Sequence, residues 1–173
     1  AKFLSETFSA IPNVRGGFFQ VGLQSISAHA LFVNSIGATP DGRRMDMLLA
    51  DGGCSPAQGR DRRGPTAVMP SVAKIDHFAI PNGTLLNIKL HPTLVETEKG
   101  MENLIALIES YFAMKGQHVQ FNVVSAEILR KAQKDPERHR DLVVRVAGFS
   151  VYFTTIDGVL QEDIIRRTEQ AVY

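Results

Sequence analysis

Short apolar runs that alternate with helical patterns constrain the fold of this chain most. The runs lie at 85–90, 119–124 and 142–146. Between the first two, the positions at helical spacing predict a helix over 100–115: Met101, Leu104, Ile105, Leu107, Ile108, Tyr111 and Phe112. Short strands separated by helices are typical of sheets whose strands are buried between helices. The chain is therefore predicted to have an α/β fold.

Caps and helix breakers place the remaining elements of the second half. Ser125 is predicted to cap a helix that runs from 126 towards 134, where Asp135 and Pro136 end it. Two β-rich runs at 142–146 and 150–155 are predicted to be hinged at Ala147 and Gly148. A last helix is predicted over about 158–171.

The first half carries weaker signals. The apolar stretch 18–33 predicts a strand, and the density of glycine and proline over 34–64 predicts a long loop. Long loops inside compact domains are often functional. A short helix is predicted over 66–76, with Pro70 in its first turn.

Composition excludes several classes of protein. Nineteen basic residues against 18 acidic ones leave a net charge of +1, so no strong field attracts nucleic acid or an anionic membrane. No apolar run approaches the roughly 18 residues of a membrane span, and no secretory signal is visible. Cys54 is the single cysteine, which excludes an internal disulfide and favours a cytoplasmic protein.

The length and the first residue bear on domain organisation. With 173 residues, 1–173 is predicted to be one region without a second domain. Because the sequence begins with Ala1 rather than Met, we expect a piece of a longer protein. Removal of an initiator Met before alanine would look the same.

Metal and phosphate sites find no support in the spacing of residues. The five histidines are not spaced as metal ligands on a helix, so no metal site is predicted. The glycine pairs do not form a phosphate-binding motif. The basic run Arg60-Asp61-Arg62-Arg63 is interpreted as a solvated surface rather than an anion site.

Gly148 interrupts the apolar run 143–153. A glycine inside a strand pattern weakens the strand, and it usually marks a bulge, a bend or a close approach to the backbone. Spacing alone favours a bend over a catalytic use.

The residues around Gly148 resemble a known signature. Arg145-Val146-Ala147-Gly148-Phe149-Ser150 is similar to the Arg-Val-x-Gly-[Tyr/Phe] motif of glycyl radical enzymes, the family that contains pyruvate formate-lyase and related lyases. Further segments resemble that family in the same order, and they lie at 38–44, 55–61, 64–68, 82–87, 120–125 and 161–168. The resemblance covers nearly the whole chain.

The resemblance implies a fold and a radical site. The chain would be the C-terminal part of the family's α/β barrel, with the radical glycine, Gly148, in a buried loop over about 143–153. The neighbours Arg145, Val146, Ala147, Phe149 and Ser150 would support that loop, Arg145 through its guanidinium. The segment Pro65, Thr66, Ala67 and Val68 would contribute to the substrate-side wall of the barrel.

The resemblance also implies partners and a mechanism. No cofactor would be bound; a radical SAM [4Fe-4S] activating enzyme would install the radical on Gly148. The radical would then pass to a catalytic cysteine in an N-terminal part of the barrel, and from its thiyl to a small-molecule substrate. The complete protein would be a homodimer.

Two departures from the family narrow the hypotheses. Cys54 lies much closer in sequence to Gly148 than the family's catalytic cysteine and lacks the neighbouring Val-Glu, so we interpret it as a structural thiol. Ala147-Gly148-Phe149-Ser150 is nearer to the lyase and dehydratase branch than to pyruvate formate-lyase.

The favoured hypothesis is the radical-storing portion of an anaerobic lyase or dehydratase, inactive by itself. The alternatives are an autonomous glycyl radical carrier that docks into a partner chain, a formate C-acetyltransferase-type enzyme, and a structural descendant without a radical.

Overall fold

The computed structural model describes residues 2–173, and it confirms a mixed helix and sheet architecture. The α-helices are α1 (Lys2–Ser9), α2 (Ala28–Leu31), α3 (Pro65–Val72), α4 (Glu98–Ala113), α5 (Ala126–Lys134) and α6 (Gly158–Arg166). The strands are β1 (Asn87–Leu90), β2 (Gln120–Val123), β3 (Val143–Arg145), β4 (Ser150–Tyr152) and β5 (Glu169–Gln170).

The strands form two sheets within the described residues. The order β2-β1-β5 makes a parallel three-stranded sheet, in which Asn87 lies opposite Gln120 and Lys89 lies opposite both Asn122 and Glu169. Strands β3 and β4 form a separate antiparallel hairpin. The three-stranded sheet is open at both edges, so the described residues do not by themselves close a barrel.

The two faces of β1 differ in chemistry, because successive side chains of a strand point in opposite directions. Leu86, Ile88 and Leu90 enter a core with residues of α3 and α4, including the fully buried Met69 and Tyr111. Asn87 and Lys89 point to the other face, where they bond to groups outside the sheet. We call this second side, with Gln120 and Asn122 of β2, the polar face.

A second core lies against the hairpin. It joins Leu129 and Ala132 of α5, Ile164 and Ile165 of α6, and Val144 of β3. Helices α5 and α6 pack against each other and against one side of the hairpin. The polar face of the sheet contacts the hairpin as well, through Asn122 and Arg145.

Capping residues confirm most of the predicted helix starts. The side chain of Thr97 accepts from the Gly100 amide at 3.0 Å, and Ser125 accepts from the Ile128 amide at 3.3 Å. Asp157 does the same for α6, accepting from the Val159 amide at 2.7 Å. Each oxygen satisfies an amide that has no partner inside its helix.

The strand predicted over 18–33 is wrong. Leu23 makes one isolated parallel bridge with Thr84, and the stretch ends in α2. Its large side chains lie largely exposed, Phe18 at 56% and Leu31 at 75%. A strand is stabilised by packing of its side chains, and little of that packing is present here.

Pro70 does not lie in the first turn of α3. It is the sixth residue of the helix, and Pro65 takes the first position instead. A proline inside a helix removes one backbone hydrogen bond. The missing bond would be accepted by the Thr66 carbonyl, and Thr66 is exposed, so water can take the place of the missing donor. The helix ends at Val72 rather than at the predicted 76.

The C-terminal helix is shorter than the predicted 158–171. It ends at Arg166, because the Arg167 backbone is extended (φ −54°, ψ 137°). Beyond it, Glu169 and Gln170 pair with β1 as strand β5, and the Gln170 amide donates to Asp61 at 3.1 Å. Contacts with residues far away in the sequence therefore end this helix.

No helix in the described residues has the length and apolar character needed to cross a membrane.

Candidate functional site around Gly148

Gly148 lies in the connection between β3 and β4. The Val146 amide donates to the Phe149 carbonyl at 3.0 Å and closes a tight turn. Within this turn Gly148 has a φ of +85°, a conformation that is costly for residues with a Cβ. A Cβ on Gly148 would find the Leu85 Cδ1 atom at 3.4 Å, an ordinary contact. The backbone conformation, rather than lack of space, therefore favours glycine here.

The loop is buried on one side only. Val146 and Ala147 are 0% and 1% exposed, whereas Gly148, Phe149 and Ser150 are exposed. The expectation of a buried Gly148 concerns the complete barrel, and in this chain the glycine is exposed. The physical reason is that residues 2–173 cover only the sheet side of the turn.

Side chains of the polar face hold the backbone that leads into Gly148. Asn122 accepts from the Arg145 amide at 2.7 Å and donates to the Arg145 carbonyl at 2.6 Å. Asn87 donates to the Val146 carbonyl at 3.0 Å, and Arg167 donates to the same oxygen at 3.0 Å. These bonds fix the last residues before Gly148 to the sheet and to the end of α6.

The guanidinium of Arg145 bridges the sheet and the hairpin. Its Nε donates to the Gln120 Oε1 atom at 2.8 Å, and its Nη1 donates to the Ser150 hydroxyl at 3.1 Å. Ser150 pairs with Arg145 in the hairpin register. Arg145 thus contacts both sides of the turn that contains Gly148.

Gln120 reaches the glycine itself. Its Oε1 atom accepts from the Gly148 amide at 3.2 Å, and its Nε2 donates to the Asn87 Oδ1 atom. The family resemblance implies that 82–87 and 120–125 are barrel strands near the radical loop, but it assigns no individual role to Asn87, Gln120 or Asn122. The available signal was the polar residue at every second position of two otherwise apolar strands, which indicates a polar face.

A buried ionic cluster lies behind the loop. Arg167 Nε is 3.0 Å from the Asp51 Oδ2 atom, and Arg167 Nη2 is 2.8 Å from the Asp163 Oδ2 atom. His29 Nε2 lies 3.1 Å from the same Asp163 oxygen. All four residues are buried. Buried charges need such partners, because an unpaired charge in the interior is costly.

The pKa values of the two carboxyl groups in this cluster are shifted in opposite directions. Burial raises the pKa of Asp51, against the opposing effect of the Arg167 guanidinium. Burial also disfavours ionisation of Asp163, but hydrogen bonds and charge from His29 and Arg167 outweigh it and hold the Asp163 pKa below its usual value. The cluster therefore favours a carboxylate at Asp163.

The segment from Pro65 to Val68 lies away from Gly148. It forms the first turn of α3, with Pro65 and Val68 buried and Thr66 and Ala67 exposed. Helix α3 packs on the apolar face of β1, opposite the face that carries the Gly148 contacts. Ala67 and Val68 line a cavity of about 520 Å³ that also contacts Cys54 and the basic run 60–63.

Cys54 also lies on the apolar side of β1. Its amide donates to the Leu85 carbonyl at 3.0 Å, and its half-buried side chain packs against the first core. Burial raises the pKa of the Cys54 thiol. The structure thus places Cys54 and Gly148 on opposite faces of the sheet.

A family model described as "Glycine radical" matches residues 50–154, a range that contains the hairpin and both strands of the polar face. The chain is 44% identical over 159 residues to trans-4-hydroxy-L-proline dehydratase of Clostridioides difficile, covering 92% of this chain and 20% of that protein. It is 41% identical over 144 residues to isethionate sulfite-lyase of Bilophila wadsworthia, covering 82% of this chain and 17% of that protein.

Solved structures agree with these matches. The glycerol-bound, B12-independent glycerol dehydratase of Clostridium butyricum superposes with a TM-score of 0.93 at 49% identity, over 97% of this chain and 21% of that one. The chain spans about a fifth of the length of the relatives it matches.

Proposed function

Because the chain belongs to the glycyl radical enzyme family, we propose that Gly148 stores the radical of an anaerobic dehydratase or lyase. One observation carries this proposal: within the matched range, Gly148 sits at φ +85° in a turn fixed to the polar face through Arg145, Val146 and its own amide. In this proposal, residues 1–173 form the C-terminal radical region, with the radical loop at 143–153.

The chemistry of glycine explains why the radical would reside there. Loss of one hydrogen atom from the Gly148 Cα leaves a centre without a Cβ, which can flatten and share its unpaired electron with both flanking peptide groups. The neighbours Arg145, Val146, Ala147, Phe149 and Ser150 would keep those peptide groups in place. Arg145 and Ser150 do so by a bond across the hairpin.

The stored radical would act through a thiol outside this chain. The Gly148 Cα radical takes a hydrogen atom from a cysteine S–H, which restores glycine and leaves a thiyl radical. The thiyl then takes a hydrogen atom from a small polar substrate. Cys54 is poorly placed for the first step, since it lies on the opposite face of the sheet. We therefore assign the thiol to a preceding part of the barrel.

The remaining assignments extend the same proposal. A radical SAM activating enzyme with a [4Fe-4S] cluster would install the radical, and no resident cofactor would be needed. The complete protein would be a cytoplasmic homodimer. The dehydratase and lyase matches favour this branch over a C-acetyltransferase. The wall role of Pro65, Thr66, Ala67 and Val68 would concern the cavity beside α3 rather than the Gly148 loop.

Electron paramagnetic resonance (EPR) tests this function. The complete protein, treated anaerobically with its activating enzyme and S-adenosylmethionine, is expected to show a doublet, because one hydrogen remains on the radical carbon and splits the signal. The matched control omits S-adenosylmethionine and should be silent. The activity of the activating enzyme is verified separately on another substrate protein. If that enzyme is active and the spectrum of this protein still shows no glycyl signal, the proposal is contradicted.

A further inference from the structure

The Gly148 amide begins a chain of hydrogen bonds that runs one way into the interior. Gly148 N–H donates to Gln120 Oε1 at 3.2 Å, and Gln120 Nε2 donates to Asn87 Oδ1. Asn87 Nδ2 then donates to Asp51 Oδ2 at 2.7 Å. Arg167 Nε lies 3.0 Å from the same carboxyl oxygen and ends the chain on a charge. We call these four residues beyond the glycine the amide relay.

The direction of the relay is fixed by its neighbours. The Gln120 side-chain oxygen accepts from both Gly148 N–H and Arg145 Nε. Turning the Gln120 amide around would set its NH₂ against these two donors and its oxygen against Asn87 Oδ1. Asn87 is equally fixed, because its NH₂ donates to both Asp51 and the Val146 carbonyl. The acceptor therefore always faces the glycine amide.

Burial strengthens the relay. Gln120 and Asn87 are each 8% exposed and Asp51 is 6% exposed, so water competes little for these bonds. In a chain of bonds that all point the same way, each bond polarises the next. The Gln120 oxygen is thus a stronger acceptor than an amide oxygen in water.

We propose that Gln120 is a positioning residue for the radical: it holds the Gly148 amide in place and increases the share of unpaired spin on the Gly148 nitrogen. This inference rests on the proposed radical at Gly148. An acceptor on an N–H makes its nitrogen more electron-rich, and that nitrogen then donates more strongly into the half-filled orbital on Cα. Gln120 acts through this hydrogen bond and need not touch substrate.

The test uses the complete protein, grown with ¹⁵N-glycine and activated anaerobically, and measures the ¹⁵N hyperfine coupling of the radical by pulsed electron–nuclear double resonance. Gln120→Leu removes the acceptor and is expected to lower the ¹⁵N coupling and to shorten the anaerobic lifetime of the signal several-fold. Gln120→Glu loses the bond to Asn87 Oδ1, but a charged acceptor strengthens a hydrogen bond about twofold, against ~10–30% from polarisation along the relay, so the coupling is expected to rise.

Asn122→Leu is the matched control, because Asn122 is a buried amide of the same strand that bonds to the Arg145 backbone but not to Gly148. It is expected to lower the radical yield while leaving the ¹⁵N coupling of the remaining radical at the wild-type value. Couplings that are identical in wild type, Gln120→Leu and Gln120→Glu would overturn the inference. Should Gln120→Leu fail to fold, an unchanged coupling in Gln120→Glu would suffice to overturn it.

The proposed function fails separately from this inference. Absence of the doublet in the wild-type protein would contradict the radical at Gly148, whereas a wild-type doublet with unchanged couplings in the Gln120 variants would contradict the relay alone.

Discussion

Gly148→Ala is expected to abolish the EPR doublet and all turnover of the complete, activated protein. A methyl group on Cα hinders the flattening that a radical centre in this turn requires. The variant should still fold: the new Cβ would meet Leu85 at an ordinary 3.4 Å, and the backbone strain at φ +85° costs about 1–2 kcal/mol. The measurement is EPR after anaerobic activation, combined with circular dichroism to verify the fold.

Gly16→Ala provides the matched control for backbone strain. Gly16 has a φ of +81°, and nothing lies within 4 Å of the position of an added Cβ. The substitution therefore introduces similar strain in a loop that the radical site does not use, and the doublet should persist. A doublet that survived in Gly148→Ala would show that the radical resides on another residue.

Residues 1–173 expressed alone are expected to be aggregated or oligomeric. Large apolar side chains lie exposed, among them Phe3 at 75% and Phe78 at 82%, and Phe149 and Tyr152 are also exposed at the hairpin. Strands β2 and β5 are open edges of the sheet, which offer unpaired N–H and C=O groups to other chains. Exposed apolar surface of this kind favours association.

Analytical ultracentrifugation of the isolated chain measures this outcome. Co-expression with the preceding part of the barrel should restore a defined, soluble species, because that part would cover the exposed apolar side chains. A sharp monomeric boundary for residues 1–173 alone would contradict the expected association and favour the autonomous carrier instead.

Local signals were sufficient to predict much of the secondary structure. The apolar spacing of α4 and the capping by Ser125 depend on residues close in sequence, and both elements appear near their predicted bounds. Gly148 was likewise found as the hinge between two β-rich runs, which are strands β3 and β4. Elements whose stability is local can be predicted from a single sequence.

Elements that depend on distant contacts could not be predicted in this way. Strand β5 exists because Glu169 and Gln170 pair with β1, about eighty residues earlier in the chain. The helical pattern of α6 continues past Arg166 in the sequence, and the pairing of Glu169 and Gln170 with β1 ends the helix. In the stretch 18–33 the local signal is present and the distant contacts are missing. Its apolar composition is typical of a strand, but few of its large side chains are buried against other residues.

The radical loop can be found from a short stretch of sequence, whereas the residues that anchor it cannot. Arg145 and Gly148 stand in one short motif, so a resemblance to a family finds them together. Asp51, Asn87, Gln120 and Arg167 lie far apart in sequence and meet only when the sheet and α6 assemble. The family resemblance implies that both segments lie near the radical loop, but no local signal shows which polar side chains of β1 and β2 bond to the Gly148 turn.

Mass spectrometry of the activated protein after exposure to air tests whether Gly148 carries the radical, because it locates the radical on one residue. Oxygen adds to a carbon radical in the backbone and leads to cleavage of the chain at that residue. We expect a cut at Gly148 that releases a C-terminal piece beginning near Phe149, in step with loss of the EPR signal. An intact chain after loss of the signal, or a cut at another glycine, would contradict this expectation.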